Sequence, residues 1–340
     1  MVKILLVRQD HLGDVLLMTP LIRALAKGGA SVTCACRRAV QPVLFGNPHV
    51  AACHAIEDVG GDVDRSPSRF AGWIRRQGFG VYILPFPSSR SLIWAGLLGG
   101  ARYRLTAGGG IWTRVCGFRQ VRTGLPDVPR YYAEAHLDFA AALGYADDGS
   151  ALDWIVQDDE RAWAQGFVRE KNPDRRPLIG IHPGSGGNTC NLPPSEYRRL
   201  ALRLLAETES VVIVTGGAHE RRLTEDWDAG SRDPRLVNTT GQLTLRQLAA
   251  LIGEMDLLVA PSTGPLHIAA ALGTRTVSPF CERRYLCAEV WGNPNANALH
   301  LTPPRASCEA WAQDHEGFCD FRGAIDANDL FDAVREALPD

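Results

Sequence analysis

The sequence predicts an α/β fold built from two doubly wound, Rossmann-like domains in series. Three observations carry that prediction. Short apolar runs alternate with stretches of helical periodicity, the alternation restarts after a loop near residue 172, and glycine- and hydroxyl-rich loops follow strand-like runs in the second half. At 340 residues the chain also exceeds the size at which one hydrophobic core stops growing, so two domains are expected.

The elements follow in order. Residues 2–7 (VKILLV) read as a first strand, 14–26 have the spacing of one helix, and 31–36 read as the second strand. A short strand over 53–56 precedes a strand at 81–86, a helix at 90–98 and a strand at 103–106. Residues 132–143 then carry apolar side chains at helical spacing and stop at Gly144. Residues 147–150 and 172–177 are loop-like, and the second, Asn-Pro-Asp-Arg-Arg-Pro, is the better domain boundary. Beyond it, strands are expected at 178–181, 211–215, 257–259 and 276–279, with helices at 194–207 and 245–253. A last helix over 327–338 follows Asp326, a suitable N-cap. The expected domains are therefore 1–172 and 173–325, with 326–340 a C-terminal helix that packs back on the first domain.

Composition narrows the function classes. No run approaches the ~18–20 apolar residues that span a bilayer. The N-terminus enters a strand pattern at once and does not read as a signal peptide, so cytoplasmic residence is the expectation. Nine cysteines scattered over a long chain do not make a secreted disulfide framework. Four of them, Cys281, Cys287, Cys308 and Cys319, lie in the final quarter, but their spacing lacks the CxxC signature and makes only a weak metal-ligand set. The net charge of −2 hides an asymmetry: residues 1–150 hold 17 Lys and Arg against 11 Asp and Glu. Between Arg65 and Arg122 there are ten arginines and no acidic residue, which favours a positive face for an anionic partner over a merely solubilising surface. Nucleic acid is not expected, because no binding motif is present and the aromatics are not interleaved as a stacking platform.

The most informative stretch is Ser262-Thr263-Gly264-Pro265-Leu266-His267, which follows the apolar run 257–260 and opens an alanine-rich helix. Hydroxyls, a glycine turn and the unpaired N–H groups of a helix start gather there, as an anion site requires. A second loop of this kind, His182-Pro183-Gly184-Ser185-Gly186-Gly187, follows the strand at 178–181. Together they suit a diphosphate-bearing ligand. In the first half, the loop Arg8-Gln9-Asp10-His11-Leu12-Gly13-Asp14 sits between the first strand and first helix, where open α/β sheets place functional residues. It has one glycine, so it is neither a GxGxxG dinucleotide loop nor a P-loop. Asp14 at the helix start would ordinarily be a cap, and capping is compatible with catalysis. His182 reads as structural, and the tryptophans read as core.

These residues resemble the ADP-heptose:lipopolysaccharide heptosyltransferases (glycosyltransferase family 9). The likeness runs from the opening ILLVRQDHLGDVLLMTP through the 182–187 loop, Thr215-Gly216-Gly217-Ala218-His219-Glu220, Thr240-Gly241 and the 262–273 segment, in the same order. The resemblance implies a GT-B fold, two facing Rossmann-like domains around a central cleft, with the acceptor on the first and the nucleotide-sugar on the second. It implies an inverting, metal-independent transfer with no cofactor, the nucleotide-sugar serving as substrate. Asp14 falls on the general-base position. Ser262, Thr263, Gly264 and His267 fall on the donor-binding motif, with Ser185, Gly186 and Gly187 in the companion loop, Thr215 and Gly217 among the donor-binding residues, and Glu220 at a position that holds the ribose hydroxyls. Arg8, Asp10, Gly13 and Arg90 are candidates for the acceptor or its phosphates.

Two departures stand out. Where family members commonly carry Lys-x-Trp-Pro, this chain has Cys190-Asn191-Leu192-Pro193. Losing one charged hydrogen bond costs ~1.5–3 kcal/mol unless an arginine such as Arg8 replaces it. Ser262 also stands where Asp is frequent, and a hydroxyl cannot grip a sugar diol as a carboxylate does. The expected activity is thus transfer of a sugar, heptose from ADP-heptose, to an anionic glycan or glycolipid such as lipopolysaccharide core, with peripheral membrane contact at the inner membrane. The alternatives are a transferase of the same fold using another donor for a secondary metabolite, capsule or protein, a non-catalytic sugar-nucleotide binder, or a nucleotide-sugar epimerase of similar build.

Overall fold

The computed structural model describes residues 1–124, 129–187, 189–227, 233–283, 285–314 and 318–338, with the side chains of 310–314 left aside. The chain divides into two units, Met1–Ile155 and Val156–Asp340. In the first, six parallel strands, β1 (Lys3–Arg8), β2 (Ser31–Cys36), β3 (Ala52–Ala55), β4 (Val81–Ile83), β5 (Tyr103–Thr106) and β6 (Arg119–Gln120), lie in the order β3-β2-β1-β4-β5-β6. In the second, β7 (Leu178–Ile181), β8 (Val211–Val214), β9 (Leu236–Asn238), β10 (Leu257–Val259), β11 (Arg275–Pro279) and β12 (Ala298–Leu301) lie in the order β12-β11-β10-β7-β8-β9. Both are the 3-2-1-4-5-6 order of a dinucleotide-type sheet, so each has one switch point: β1/β4 in the first unit and β7/β10 in the second.

The central strands are continuous apolar runs because helices cover both faces of a parallel sheet. In β1 every residue after Lys3 is buried, and β7 and β8 are buried throughout. The edge strands β9 and β12 are half-buried and shorter on apolar signal, and with β6 they escaped the sequence reading.

The single helix expected over 14–26 is two, Leu12–Leu16 and Thr19–Lys27. Pro20 has no N–H to give the Leu16 carbonyl, so the ladder is interrupted there. The Thr19 hydroxyl instead donates to the Leu16 carbonyl at 2.7 Å.

The boundary falls at 155/156 and not at the expected 172/173. Arg23 decides the first side of it. Its guanidinium, 9 % exposed, meets Asp148 at 2.9 Å and Asp153 at 2.7 Å and donates to the carbonyls of Gly149 and Ala151, clamping 148–153 onto the first unit. Helix Asp158–Lys171, which the sequence reading missed, belongs to the second unit: Glu160 pairs with Arg246 of helix Leu245–Gly253 through two 2.7 Å contacts. The loop at 172–177 is closed by the Asn172 side chain, which bonds both the N–H and the carbonyl of Arg176. The C-terminal helix Ala327–Ala337 also corrects an expectation. Leu330, Phe331 and Val334 share a buried cluster with Leu200 and Leu204 of helix Pro194–Glu207, so it packs within the second unit.

Candidate functional site

In the first unit the polar groups collect at the carboxyl end of β1. The strand is buried until Arg8, whose side chain is 4 % exposed and lies between the rings of Phe86 and Tyr132, 5.6 and 5.9 Å from their centroids. A guanidinium so far from water requires anionic partners. It has two: Nη2 donates to Asp14 Oδ1 at 2.6 Å, and Nε lies 2.8 Å from Asp10 Oδ2. Burial raises the Asp10 carboxyl above the ordinary carboxylate range even though Arg8 pulls the other way. Asp14 Oδ2 accepts the His11 N–H at 3.0 Å, so Asp14 is a helix cap and also a carboxylate fixed in one rotamer. Its side chain keeps 13 % exposure.

Gly13 is buried in the first turn of the same helix, and the Gln9 side chain reaches Ser88 at 3.3 Å, tying the β1 loop to the β4 loop across the switch point. Arg90 opens helix Arg90–Leu98 and stacks over Trp112 at 5.5 Å, so it stands with the aromatics of the sheet edge and not with the Arg8 cluster.

One residue here was missed. His136, from helix Tyr132–Ala142, is buried, lies 4.7 Å from the Tyr132 ring and places Nδ1 3.0 Å from the Leu17 carbonyl. That carbonyl can only accept, so Nδ1 carries the proton and Nε2 is a bare acceptor. Burial, reinforced by Arg8, pushes the imidazole down to about 4. Among the described residues neither His136 Nε2 nor Arg8 Nη1 has a hydrogen-bond partner. The helical pair Tyr132 and His136, four apart on the buried face, was the available signal.

The second unit gathers its motifs on neighbouring strands. The loops after β10, β7, β8 and β9 carry, respectively, 260–263, 182–187, 215–217 and 239–241, so four segments far apart in sequence stand side by side at one sheet edge. Glu220 ties them together. It is 8 % exposed, its Oε2 accepts the Gly217 N–H at 2.6 Å, and the same oxygen lies 3.8 Å from His182 Nε2. Gly184 is required here: a Cβ at that position would stand 1.8 Å from Glu220 Oε1. His182 Nδ1 lies 3.0 Å from the Thr215 hydroxyl, and burial holds its imidazole below the ordinary range against the pull of Glu220. Its structural assignment fits this environment.

Gly186 and Gly187 both have positive φ, 59° and 77°, which turns the loop sharply and leaves the Ser185 hydroxyl half-exposed, within 3.4 Å of the Gly187 N–H. Beside it, helix Gly264–Leu272 starts at Thr263 without a side-chain cap. The Thr263 hydroxyl turns back to the Pro261 carbonyl at 3.3 Å, and Pro265 brings no N–H, so the positive end of the helix is not neutralised by its own side chains. Ser262 is half-exposed and His267 is buried in the first turn. This edge can accept an anion by backbone and hydroxyl donors.

The sequence matches the family model described as Glycosyltransferase family 9 (heptosyltransferase) over residues 120–308, more than half of the chain. The chain belongs to glycosyltransferase family 9. The matched residues contain the whole β7–β10 edge and lie outside the Asp14 loop. Among curated relatives, it is 30% identical over 128 residues to a "Putative glycosyltransferase" of Haemophilus influenzae, 37% of either chain. It is 30% identical over 172 residues to "Lipooligosaccharide heptosyltransferase 2" of Haemophilus ducreyi, 47% of this chain and 49% of that protein. The chain thus spans less than half the length of these relatives. Among solved structures it resembles a family 9 glycosyl transferase from Veillonella parvula (TM-score 0.80, 19% identity, 98% and 96% of the two chains). It also resembles the ADP-heptose lps heptosyltransferase II of E. coli (TM-score 0.71, 16% identity, 98% of each). At these identities the likeness is one of fold, and the fold is the expected GT-B pair of Rossmann-like units.

Three of the four C-terminal cysteines of this family 9 chain share one cluster. Cys281 and Cys308 place their sulfurs 3.8 Å apart within a buried cluster that also holds Cys319 and Cys190, whereas Cys287 is not in that cluster and precedes helix Ala288–Trp291. Hydrogen bonding from Cys190, with the Arg283 N–H 3.4 Å away, lowers the Cys281 thiol to about 6. Among the described residues no group of three or more His, Cys, Asp or Glu is arranged to hold a metal ion. Cys190, at the usual lysine position, is 2 % exposed and supplies no cation to the donor edge.

Proposed function

We propose that this protein is an inverting, metal-independent glycosyltransferase that moves heptose from ADP-heptose to a hydroxyl of an anionic glycan such as lipopolysaccharide core. The reading rests chiefly on the β10-β7-β8-β9 edge, where the uncapped start of helix Gly264–Leu272 stands beside the Ser185-Gly186-Gly187 turn. Two likenesses support it: curated relatives include lipooligosaccharide heptosyltransferases, and a fold neighbour is an E. coli heptosyltransferase solved with ADP.

In this mechanism Asp14 takes the proton of the acceptor hydroxyl as its oxygen attacks the anomeric carbon from the face opposite the leaving group. The bond from that carbon to the diphosphate oxygen breaks, and the departing charge falls on the diphosphate. Helix N–H groups and the hydroxyls of Thr263 and Ser185 stabilise that charge without a cation. Arg8 holds the Asp14 rotamer by its 2.6 Å bond. Glu220 orients the loops that meet the nucleotide and is the carboxylate nearest the ribose hydroxyls in this reading. Arginines between Arg65 and Arg122 meet the phosphates or acidic sugars of the acceptor.

A second reading is favoured by two observations. Buried Cys190 leaves the donor edge without the usual lysine, and Ser262 offers a hydroxyl where a carboxylate is frequent. Both suit a transferase of the same fold with a different sugar donor. The deciding experiment measures nucleoside diphosphate release against a panel of sugar donors, with and without chelator. ADP-heptose turnover that survives chelation and falls by roughly 10²–10⁴ in Asp14→Asn is expected. Clean selectivity for a hexose donor transfers the assignment to the second reading, unchanged turnover in Asp14→Asn removes the base, and a C2 epimer formed without acceptor rejects transfer altogether.

A further inference from the structure

One side chain of the Arg8 cluster has no part in the transfer as drawn. His136 is 3 % exposed and comes from helix Tyr132–Ala142, which packs against helix Thr19–Lys27. Its ring meets the surroundings of Asp14 on two sides. At one edge Nδ1 donates to the Leu17 carbonyl at 3.0 Å, and Leu17 closes the short helix Leu12–Leu16 on which Asp14 sits. On another side stands Tyr132, one turn earlier on the same helix. Its ring centroid lies 4.7 Å from that of His136 and 5.9 Å from Arg8 Cζ, so imidazole and guanidinium share one aromatic neighbour.

A histidine that only filled space here would be better replaced by leucine, because an acceptor nitrogen shut away from water is costly unless something compensates it. Among the described residues Nε2 has no hydrogen-bond partner, and neither has Nη1 of Arg8, a donor equally shut away. The two orphans are of opposite kind, a lone pair and an N–H. They also belong to groups that feel one another. Burial and then the Arg8 charge drive the imidazole down to about 4, against the upward pull of the Leu17 bond and Asp14. The ring is therefore neutral at neutral pH, and a proton on Nδ1 leaves the lone pair on Nε2. In a site of low dielectric that lone pair stabilises a neighbouring cation, whereas an imidazolium would repel it and a hydrocarbon would do neither. Arg8 in turn holds Asp14 through Nη2 at 2.6 Å.

We infer that His136 is a positioning residue for Asp14: Nε2 steadies the Arg8 guanidinium and Nδ1 steadies the helix of Asp14, so the carboxylate stays aimed at the acceptor hydroxyl. This rests on the reading of Asp14 as the base. His136 touches neither sugar nor nucleotide, and no proton passes through it. Its effect on rate is geometric, since misplacing a reacting group by ~1 Å costs roughly a hundredfold.

The test begins with NMR of the ring nitrogens in the full, unaltered chain at neutral pH. His136 should be neutral with its proton on Nδ1; a proton on Nε2, or on both nitrogens, overturns the inference. Two variants then separate positioning from packing. His136→Leu removes both nitrogens, whereas His136→Gln keeps a donor for the Leu17 carbonyl and an acceptor toward Arg8. With ADP-heptose and a lipopolysaccharide core glycan, His136→Leu should lower kcat by roughly 10–100-fold. Its KM for the donor should stay within about twofold, and His136→Gln should recover kcat to within about threefold. ADP affinity by calorimetry should be the same in all three proteins. Should the leucine variant not fold, His136→Met, more adaptable in a tight core, takes its place. Crystal structures read the same effect without turnover: the 2.6 Å Arg8–Asp14 bond should be broken in the apolar variant and kept in His136→Gln. Unchanged kcat in the apolar variant, equal loss in both variants, a loss confined to KM for the donor, or an Arg8–Asp14 bond intact in the apolar variant overturns the inference. If the unaltered protein turns over no donor, the proposed transfer falls, and the Arg8–Asp14 bond in the variants still decides the positioning.

Discussion

Asp14 owes its position to Arg8, and Arg8 owes its burial to two carboxylates and two rings. A residue that caps a helix and is also held by a buried cation cannot wander, which is what a positioned base needs. Two predictions belong at this scale. Gly184→Ala sets a Cβ 1.8 Å from Glu220 Oε1, so the carboxylate must move and the Gly217 contact is lost. Calorimetric titration with ADP should show affinity reduced by roughly tenfold or more, about 1.4 kcal/mol, in line with a lost charged hydrogen bond. The second concerns acid. His136 is held near 4 from an ordinary 6.5, so the unfolded chain binds the proton first as pH falls. Its stabilisation is present above about pH 6.5 and lost toward pH 4, amounting to about 3 kcal/mol. His182 acts in the same direction, and Asp10, raised by burial, acts against both. Urea unfolding midpoints followed from pH 7 to pH 4 should fall, and His136→Asn should flatten that slope.

Helix Asp158–Lys171 turns an apolar stripe inward, buried Ala164 with half-buried Trp163, Phe167 and Val168, and adds one strong polar contact at its start. Arg246 and Glu160, 12 and 16 % exposed, form the two-pronged bond that ties its first turn to helix Leu245–Gly253. Arg246→Ala should lower stability by about 1.5–3 kcal/mol and raise hydrogen exchange across residues 158–171 before the rest of the second unit opens. A milder change is expected at the start of the helix that Arg246 belongs to. Thr244 accepts the Gln247 N–H at 3.2 Å, and Thr244→Ala should cost about 1 kcal/mol in urea unfolding. If Arg246→Ala exchanges uniformly across the second unit, the pair does not hold the helix separately. Element by element, the central strands and the helices 90–98, 194–207 and 245–253 were legible from apolar period. The acidic start Asp158-Asp159-Glu160 and basic end Arg169 and Lys171 of the missed helix were legible too, as a dipole pattern beside the apolar spacing of Trp163, Ala164, Phe167 and Val168.

The same strand order in both sheets gives each unit a single switch point, and every motif singled out from sequence in the second unit lies at that unit's edge. Donor binding should therefore be a property of residues 156–340. Hydrogen exchange of the full chain with ADP should protect 182–187, 215–220 and 262–267 together. Protection at one hundred times the dissociation constant should reach about 2.7 kcal/mol. Protection confined to the first unit would contradict the donor assignment.

What the sequence determined by itself was local: where apolar runs make buried strands, where Gly144 stops a helix, and which loops are rich in the groups that bind anions. Those properties depend on residues a few positions apart. The rest depended on which distant residues share a pocket. Arg23 reaching Asp148 and Asp153 set the boundary, and Phe331 packing on helix Pro194–Glu207 placed the last helix. His136 entered the Arg8 site from more than a hundred residues away. Glu220 needs the missing side chain of Gly184, and Cys190 is drawn into the apolar core. Packing and charge compensation between remote segments are decided only when the chain has closed, because burial makes an unpaired charge costly and so selects the partner.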